Sequence, residues 1–428
     1  MLVPKFFCFS ARRTGSPSTS RRVVSTVIAT IMAGSMTACA TAEPNIPISI
    51  PITAARWTPT GDARFVQQQG YPGGVLELAK GSAVLKGLTF ADGTIEFDTR
   101  LAGKGILGIR FRRQDAQNAD VLYFRPQVGC PTSVDCIQYM PQSHGSFEWD
   151  LFPEYQTAAP IASDGWNHIK MVISGRRMQV FVNRGSKPTL TVGHLEGDLL
   201  RGGLSLHGPA AFANLVVTPD RQSAPPTNAV PDPTAADPNY VRNWLVAKPV
   251  TIKSHIDPVM EGPTGDAVDY GQMPGAEGAW KRLVAERKGL MNLTHAIGSN
   301  KSGAVISLAW AKTSIRSNRA QTVHVDIGWA REIWVFANGR PVFTDRNVYG
   351  VPALAKKPDS AISLQNGGFD LPLVRGANEI AVAIDDNFSG NNHFGWGYIM
   401  RLRTKNGVTL DSGRDATKAG RRRHVTSG

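Results

Sequence analysis

The carboxylates with the clearest potential for acid–base chemistry lie in the segment Glu148-Trp149-Asp150-Leu151-Phe152-Pro153-Glu154. Two carboxyl groups about 5–5.5 Å apart can cleave a glycosidic bond with retention of configuration. Glu148 and Glu154 are six positions apart, and at about 3.3 Å per residue their Cα atoms would be separated by roughly 20 Å along a strand. Pro153 also interrupts strand pairing just before Glu154. This leaves Glu148 and Asp150 as catalytic candidates, with the alternative that they are two solvated carboxylates on an exposed sheet.

Aromatic and polar side chains accumulate around the same segment. Flat rings can stack on the apolar faces of sugars while polar groups read the hydroxyls. The candidate glycan-binding residues are Tyr123, Arg125, Gln138, Tyr139, His144, Trp149 and Tyr155. The alternative for Tyr139 and Trp149 is that they pack between two sheets.

Motifs for other chemistries are missing from the sequence. It contains no His-Glu-x-x-His, no Gly-x-Ser-x-Gly and no phosphate-binding Gly-x-x-x-x-Gly-Lys-Ser/Thr, and its nine histidines are scattered singly. We therefore expect no cofactor and no metal site. The oxygen-rich run Asp385-Asp386-Asn387 could hold Ca²⁺ or form an ordinary polar turn.

The net charge of +13 is concentrated at the two ends of the chain. Residues 1–40 contribute +5 and residues 404–428 contribute +4, which leaves +4 for the residues between them. A nearly balanced middle gives no support to nucleic-acid binding.

Residues 1–39 have the features of an export signal. Two Arg pairs precede an apolar run over residues 23–38, which is shorter than the about 20 residues of a membrane span. Met36-Thr37-Ala38-Cys39 resembles the lipobox of bacterial lipoproteins, which implies lipidation of Cys39. Cleavage after Ala40 or Ala42 is the alternative, and Ser20-Arg21-Arg22 gives a weaker hint of twin-Arg export. We expect an exported protein of the outer membrane or periplasm, attached to the membrane through its N-terminal lipid.

Cysteine usage agrees with an oxidising compartment. Cys130 and Cys136 are close in sequence, and no further Cys or His lies nearby at metal-ligand spacing. We predict a disulfide between them.

The hydrophobic pattern predicts an all-β protein. Short alternating runs, such as 93–101 and the hairpin over 168–183, recur without a sustained helical period. We predict two β-sandwich (jelly-roll) domains, at 43–220 and 241–405, joined by a Pro-rich linker at 221–240. A small helical patch is expected around 280–286, a type I′ hairpin at Asn338-Gly339, and a basic disordered tail at 406–428.

The order of motifs in the first region resembles the concanavalin A-like lectin/glucanase jelly roll, most closely its laminin-G-like members. The resemblance is carried by GTIEFDTRL (93–101), Tyr-Phe-Arg-Pro (123–126), Gln-Tyr-Met-Pro (138–141), Trp149-x-Leu151, Trp-Asn-His-Ile-Lys (166–170) and the closing GGLSLHG and FANLVV strands. Glucanases of this fold place their outer glutamates four or five positions apart, closer than Glu148 and Glu154. The resemblance therefore implies the fold, and it leaves the activity open.

The second region resembles galactose-binding-like jelly-roll modules. The resemblance is carried by the strand pair around Asn338-Gly339-Arg340, by LPLVRGANEIAVAI (371–384) and by Gly395-Trp396-Gly397. Together the two resemblances imply carbohydrate recognition, with a poly- or oligosaccharide as partner, and no nucleic acid. The alternatives are a glycoside hydrolase with an off-pattern site and a non-catalytic envelope protein that binds other proteins.

Overall fold

The alternating runs form antiparallel strands, and the fold is all-β as predicted. The computed structural model describes residues 45–101, 107–125, 129–220, 229–253, 268–275, 279–299, 305–358, 360–386 and 394–411. Cys39 and the whole export segment lie outside these residues. So do Pro126, the first part of the Pro-rich segment, Asn387 and the end of the basic tail.

The first sandwich consists of two sheets. The first sheet has the order β14-β13-β12-β6-β16-β4-β3, with β1 added on β16. Its strands are β1 (Ile48–Ser49), β3 (Ala63–Gln68), β4 (Tyr71–Leu78), β6 (Gly93–Leu101), β12 (Asn167–Ser174), β13 (Arg177–Val182), β14 (Leu190–Val192) and β16 (Ala210–Pro219). On β6, Ile95, Phe97 and Leu101 are buried while Glu96, Asp98 and Arg100 face outward, which is the alternation expected of a sheet with one open face.

The second sheet has the order β10-β9-β8-β7-β15-β5-β2, with β11 added on β9. Its strands are β2 (Trp57–Thr60), β5 (Ser82–Leu85), β7 (Leu107–Arg113), β8 (Ala119–Phe124), β9 (Ile137–Ser143), β10 (Ser146–Phe147), β11 (Gln156–Thr157) and β15 (Gly203–His207). Every residue of β8 and β9 is buried, so both faces of these strands are covered. The covering layer is the second sandwich.

The second sandwich is built around one long strand, β22. Its sheet has the order β19-β17-β21-β25-β22-β26-β20, with β18 and β27 added on β21 and with β23 and β24 added on β22. The strands are β17 (Asn243–Val246), β18 (Val250–Lys253), β19 (Lys281–Val284), β20 (Leu290–Asn292), β21 (Val305–Ser317), β22 (Gln321–Ala337), β23 (Arg340–Asn347), β24 (Gly367–Leu373), β25 (Gly376–Asp385), β26 (Gly397–Leu402) and β27 (Val408–Leu410).

Strand β22 passes from one layer of this sandwich to the other. Its first half pairs with β24 and β26 as far as Ala330, and its second half pairs with β23 and β25 from Arg331 onward. Arg331 has a φ of 93°, a left-handed value that β-strand residues rarely adopt, and it marks the corner. The predicted hairpin follows at Asn338-Gly339, where φ values of 51° and 78° give the two left-handed residues that a type I′ turn needs.

Helical structure among the described residues is sparse. The α-helix α1 covers Leu293–Ile297, and 3₁₀ turns cover Pro153–Tyr155, Tyr270–Gln272 and Arg287–Gly289. Across the described ranges no helix has the length and hydropathy of a membrane span.

Two local predictions were wrong. The segment predicted to be helical around 280–286 contains strand β19, because pairing with β17 overrides a weak local helical preference. The tail predicted to be disordered from 406 begins with β27, whose residues pair with Ile315, Arg316 and Ser317 of β21.

The two sandwiches pack directly on each other. The core of the first sandwich continues into Leu290, Ala330, Ile362 and Ile399 of the second, and Glu43–Gly428 form one compact unit. The described part of the Pro-rich segment contacts both sandwiches as well. The Val230 N–H donates to the carbonyl of Gly193, and the Arg287 guanidinium donates to the carbonyl of Val230. The apolar surfaces of the two sandwiches are thus buried against each other.

Candidate functional site

The carboxylates predicted for catalysis lie inside the junction between the sandwiches, where both are fully buried. Asn292 Nδ2 of the second sandwich donates to Glu148 Oε2 at 2.7 Å. Burial raises the pKa of Glu148 to about 8, against hydrogen bonds from Ser143 and Asn292 that lower it. Burial at this position therefore favours the protonated form of the Glu148 carboxyl group.

Asp150 forms an ion pair with Arg331 across the junction. Arg331 Nη2 donates to Asp150 Oδ2 at 2.7 Å, and both side chains are 0% exposed. The backbone of Asp150 also accepts a hydrogen bond from the Ile362 N–H at 2.8 Å. Burial raises the pKa of Asp150, and the charge of Arg331 opposes that shift. The corner in β22 explains this contact, because the left-handed backbone at Arg331 lies at the point where the strand reaches the first sandwich.

Glu148 also belongs to a polar chain that reaches the surface. Asn292 Nδ2 is 3.3 Å from Glu286 Oε2, whose other oxygen lies 2.7 Å from His295 Nδ1. His295 Nε2 lies 3.2 Å from Asp198, which is largely exposed. The hydrogen bond with Glu286 raises the pKa of His295 to about 9. The chain joins Glu148, just after strand β10 of the first sandwich, to His295 in helix α1 of the second through the amide of Asn292 and the carboxylate of Glu286.

Trp149 is enclosed between the two sandwiches. Its ring meets Tyr349 at 4.8 Å and Phe394 at 5.6 Å, both edge to face, and the Arg125 guanidinium lies 5.8 Å from it. Because the ring is covered by protein, it offers no face for stacking on a sugar. The geometry gives Trp149 a packing role.

Tyr123, Arg125 and Gln138 support Trp149. Arg125 donates to the Tyr123 hydroxyl at 2.6 Å, Tyr123 donates to Gln138 Oε1, and Gln138 Nε2 donates to the carbonyl of Trp149 at 3.0 Å. Tyr123 and Gln138 are buried, and Arg125 is half-buried. The hydrogen bonds of these three side chains are made within the protein. We therefore assign them the role of holding Trp149 in place at the junction.

The remaining predicted glycan-binding residues lie in different parts of the first sandwich. Tyr139 and Tyr155 are buried with their rings 5.6 Å apart, and their hydroxyls donate to Asp120 and Glu196. His144 is exposed, and its Nε2 lies 3.3 Å from the carbonyl of His295 in the second sandwich. The seven residues therefore do not form one solvent-facing groove. Tyr139 and Tyr155 belong to the core between the two sheets, whereas Tyr123 and Trp149 lie on the face that the second sandwich covers.

The predicted disulfide is confirmed, since Cys130 and Cys136 are bonded with a Cα–Cα distance of 5.6 Å. It closes the turn between β8 and β9, beside Arg125. Within the described ranges, no group of three or more His, Cys, Asp or Glu side chains is arranged to hold a metal ion.

A different cluster lies on the outer face of the first sheet, and we call it the open-face cluster. Its members are Tyr71, Asp98, Arg100, Trp166 and His168. The rings of Tyr71 and Trp166 meet at 4.6 Å above a floor of Val75, Ala211 and Ala213. The small alanines of β16 leave room for both rings on the sheet, and both rings are half-buried, with part of their surface in solvent.

Charged groups border this aromatic pair. The Arg100 guanidinium lies 5.4 Å from the Trp166 ring and 3.6 Å from Glu77. Asp98 Oδ1 lies 2.8 Å from His168 Nδ1, while Asp98 Oδ2 accepts a hydrogen bond from Asn214 at 2.7 Å. The cluster thus combines a partly exposed aromatic surface with a carboxylate, an imidazole, an amide and a guanidinium at its rim.

Sequence reasoning did not assign a site to this cluster. The alternation on β6, which places Ile95 and Phe97 in the core, also directs Asp98 and Arg100 outward. Trp166 immediately precedes β12, whose His168 pairs with Asp98. The outward residues of these two neighbouring strands were the signal that could have located it.

Comparisons with known proteins returned neither a matching family model nor a matching curated protein. Similar solved structures include a carbohydrate-binding module, CBM66, from Bacillus subtilis, at 17% identity and a TM-score of 0.28 over 38% of this chain and 94% of that one. A galectin-like protein of unknown function from Bacillus subtilis has 14% identity and a TM-score of 0.29 over 40% of this chain and 94% of that one. The β-glucanase of Bacillus licheniformis has 11% identity and a TM-score of 0.28 over 41% of this chain and 98% of that one. The identities and TM-scores of all three structures are low.

Proposed function

We propose that this chain is a carbohydrate-recognition protein that binds a poly- or oligosaccharide, without cleaving it, on the open-face cluster. The observation that carries the proposal is the half-exposed ring pair of Tyr71 and Trp166, rimmed by hydrogen-bonding side chains. An apolar platform with a few oriented polar groups is the combination that a sugar ring requires.

The two parts of the cluster have different tasks. The rings of Tyr71 and Trp166 cover the apolar C–H face of one sugar residue. Asp98 accepts hydrogen bonds from sugar hydroxyls, and it is held for this by His168 and Asn214. Arg100 donates to ring or hydroxyl oxygens from above the Trp166 ring. Charge-assisted hydrogen bonds of this kind fix the orientation of the sugar.

The enclosure of Glu148 and Asp150 argues against the hydrolase alternative at these residues. Each carboxyl group is fully buried, and each is bonded to a side chain of the second sandwich. Retaining or inverting hydrolysis needs both groups on a substrate and a water molecule beside one of them. Substrate would reach this pair only if the sandwiches separated.

We also propose that the protein is exported and anchored by a lipid on Cys39, with its glycan ligand in the cell envelope. This part rests on the sequence of residues 1–42 alone. Mass spectrometry of the mature N-terminus tests it, because lipidation adds acyl chains to Cys39, whereas ordinary signal cleavage leaves Thr41 or Glu43 as an unmodified first residue.

A glycan-array screen of residues 43–428 tests the carbohydrate proposal. We expect binding that Trp166→Ala weakens by about thirtyfold or more while circular dichroism remains unchanged. Trp280→Ala is the matched control, because Trp280 is a half-buried tryptophan of the second sandwich. Glycan binding that Trp166→Ala leaves as tight as in the unaltered protein would refute the site. Silence of the unaltered protein on the array would favour the alternative of an envelope protein that binds other proteins.

A further inference from the structure

A cavity of about 250 Å³ lies where the two sandwiches meet. The first sandwich contributes residues 151–154 and Glu196, and the second contributes residues of β20, of β26 and of the loop before β24. The Pro-rich segment also takes part, through Pro233, Thr234 and Tyr240. We call this space the junction cavity. It is built from three parts of the chain, so it exists only while the sandwiches are packed together.

Much of the lining of the junction cavity is apolar, and most of that part is aliphatic. All of the apolar side chains belong to the core of the first sandwich or pack against it. They are Leu151, Phe152, Leu290, Ile362, Leu364 and Ile399. A ligand with an alkyl chain would cover this surface and remove it from water.

The four charged side chains of the lining form two ion pairs. Lys288 is bonded to Glu154, and Arg287 Nε lies 3.3 Å from Glu196 Oε1. The positive and negative charges of the lining are therefore equal in number. A charged ligand would meet a like charge as well as an opposite one, and the cost of taking its charge out of water would not be recovered.

Further contacts hold the inner ion pair in place. The Tyr155 hydroxyl donates to Glu196 Oε1 at 2.6 Å, and His194 Nδ1 lies 3.1 Å from Glu196 Oε2. Arg287 Nη1 donates to the carbonyl of Val230 at 2.6 Å. These contacts give Glu196 and Arg287 a structural role, which leaves short-range hydrogen bonds as the interaction that they can offer to a small polar group.

The volume of the cavity sets the size of a ligand. An apolar cavity of about 150 Å³ accommodates benzene, which has six non-hydrogen atoms. The same ratio gives about ten non-hydrogen atoms for the junction cavity. This is the size of a medium-chain alkyl compound, and it is much smaller than an oligosaccharide. The junction cavity is therefore separate from the glycan site proposed on the open face.

We propose that the junction cavity binds an uncharged aliphatic amphiphile of about ten non-hydrogen atoms, of the class of medium-chain alcohols. The alkyl chain lies against the apolar lining, and the hydroxyl group exchanges hydrogen bonds with the two ion pairs. Because the ligand contacts both sandwiches, it stabilises their packing. The inference is independent of glycan binding and of lipidation at Cys39.

Calorimetric titration of residues 43–428 with three eight-carbon probes tests the proposal. The probes are n-octanol, octanoate and octylammonium, which share the alkyl chain and differ in the charge of the end group. We expect one n-octanol molecule to bind per protein chain. Both ions should bind at least about fivefold more weakly, because the charged groups of the lining are already paired.

Leu364→Trp tests the location of the site. Leu364 is half-buried and lines the cavity, so a larger ring at this position takes up space that the alkyl chain needs. The affinity for n-octanol should fall at least about tenfold, because each methylene group kept in water costs about fourfold in affinity. Leu364→Phe should give a smaller loss in the same direction, and it replaces Leu364→Trp if that variant does not fold.

The matched control is Val374→Trp. Val374 is exposed and follows the opposite end of β24 from Leu364, so its replacement adds the same ring outside the junction cavity. This variant should bind n-octanol within about twofold of the unaltered protein, because the two positions are well separated.

Three results would overturn the proposal. The first is the absence of n-octanol binding to the unaltered protein. The second is the same affinity in Leu364→Trp, or in Leu364→Phe where it replaces that variant, as in Val374→Trp, which would place the alkyl chain elsewhere. The third is binding of octanoate or octylammonium that is at least as tight as that of n-octanol, which would assign the cavity to a charged ligand.

Discussion

The junction and the open face of the first sandwich use similar side chains for different purposes. At the junction, Trp149 is surrounded by protein groups, and Asp150 is neutralised by Arg331. On the open face, Trp166 keeps part of its ring in solvent, and Asp98 is bonded to a half-buried histidine. The residue types alone would suggest the same chemistry in both places.

The difference between the two regions is access to solvent. A buried aromatic ring whose faces are covered stabilises the packing of the protein. A partly exposed ring still has a hydrated surface, and a ligand can displace the water from it. A buried carboxylate must be protonated or paired, as Glu148 and Asp150 are, while an exposed one can exchange its partners. Predictions that separate stability from binding therefore test this comparison.

The largest expected effect comes from breaking the ion pair at the junction. Asp150→Ala should lower the free energy of unfolding by about 3–5 kcal/mol, because it leaves Arg331 charged and enclosed. Replacing both partners, with Asp150→Leu and Arg331→Met, should restore most of that loss. Urea denaturation of residues 43–428 measures the free energy of unfolding of the single and the double variant. A single variant as stable as the unaltered protein would show that the junction is hydrated in solution.

The two tryptophans provide the next test. Trp149→Ala should lower stability by about 3 kcal/mol, with glycan affinity of the folded fraction unchanged. Trp166→Ala should leave stability nearly unchanged and weaken glycan binding by about 2 kcal/mol or more, which is about thirtyfold in Kd. Calorimetric titration measures the glycan affinity of each variant, and thermal unfolding measures its stability. The comparison between the regions fails if the two variants lose binding equally.

The junction should also respond to pH. Glu148 has a pKa raised from 4.5 to about 8, and His295 has one raised from 6.5 to about 9. Both shifts favour the protonated form in the folded state. Their contribution to stability is therefore complete below the ordinary values and is lost as pH rises through about 8 and 9.

Glu148→Gln isolates the carboxyl part of this effect. The variant should lose less stability than the unaltered protein between about pH 5 and pH 9, since the amide has no proton to release. Glu154→Gln is the matched control, because Glu154 is exposed and bonded to Lys288 at the surface. Urea midpoints at several pH values measure the difference, and parallel curves for the Glu148→Gln and unaltered proteins would contradict it.

The smallest expected effect is on the rim of the open face. Asp98→Asn keeps the shape of the side chain and removes its charge, so glycan binding should weaken by about 1 kcal/mol, or about fivefold in Kd. Asp345→Asn on the second sandwich should leave the affinity unchanged. An affinity unaltered by Asp98→Asn would restrict sugar recognition to the two rings.

Some of this organisation could be predicted from local patterns. The alternation in 93–101 identified a strand and its buried side, because side chains in a strand point to opposite faces in turn. Asn338-Gly339 identified a type I′ turn, because few residues adopt two left-handed conformations in succession. The proximity of Cys130 and Cys136 in the chain identified their disulfide.

Other features depend on contacts that are distant in sequence. Whether Lys281–Val284 became helix or strand was decided by pairing with Asn243–Val246. Whether Trp149 faced solvent was decided by Tyr349 and Phe394, which lie two hundred residues or more further along the chain. No local pattern distinguishes a strand face that is open from one that a second sandwich covers.

The sequence by itself determined that the chain is all-β, which strand faces are apolar and which cysteines pair. These follow from interactions among near neighbours in the chain. Only the tertiary structure decided that Glu148 and Asp150 are enclosed and that Tyr71, Asp98 and Trp166 share an open face. Burial is a property of the packed sandwiches as a whole, and burial separates a residue that supports the fold from one that is free to meet a ligand.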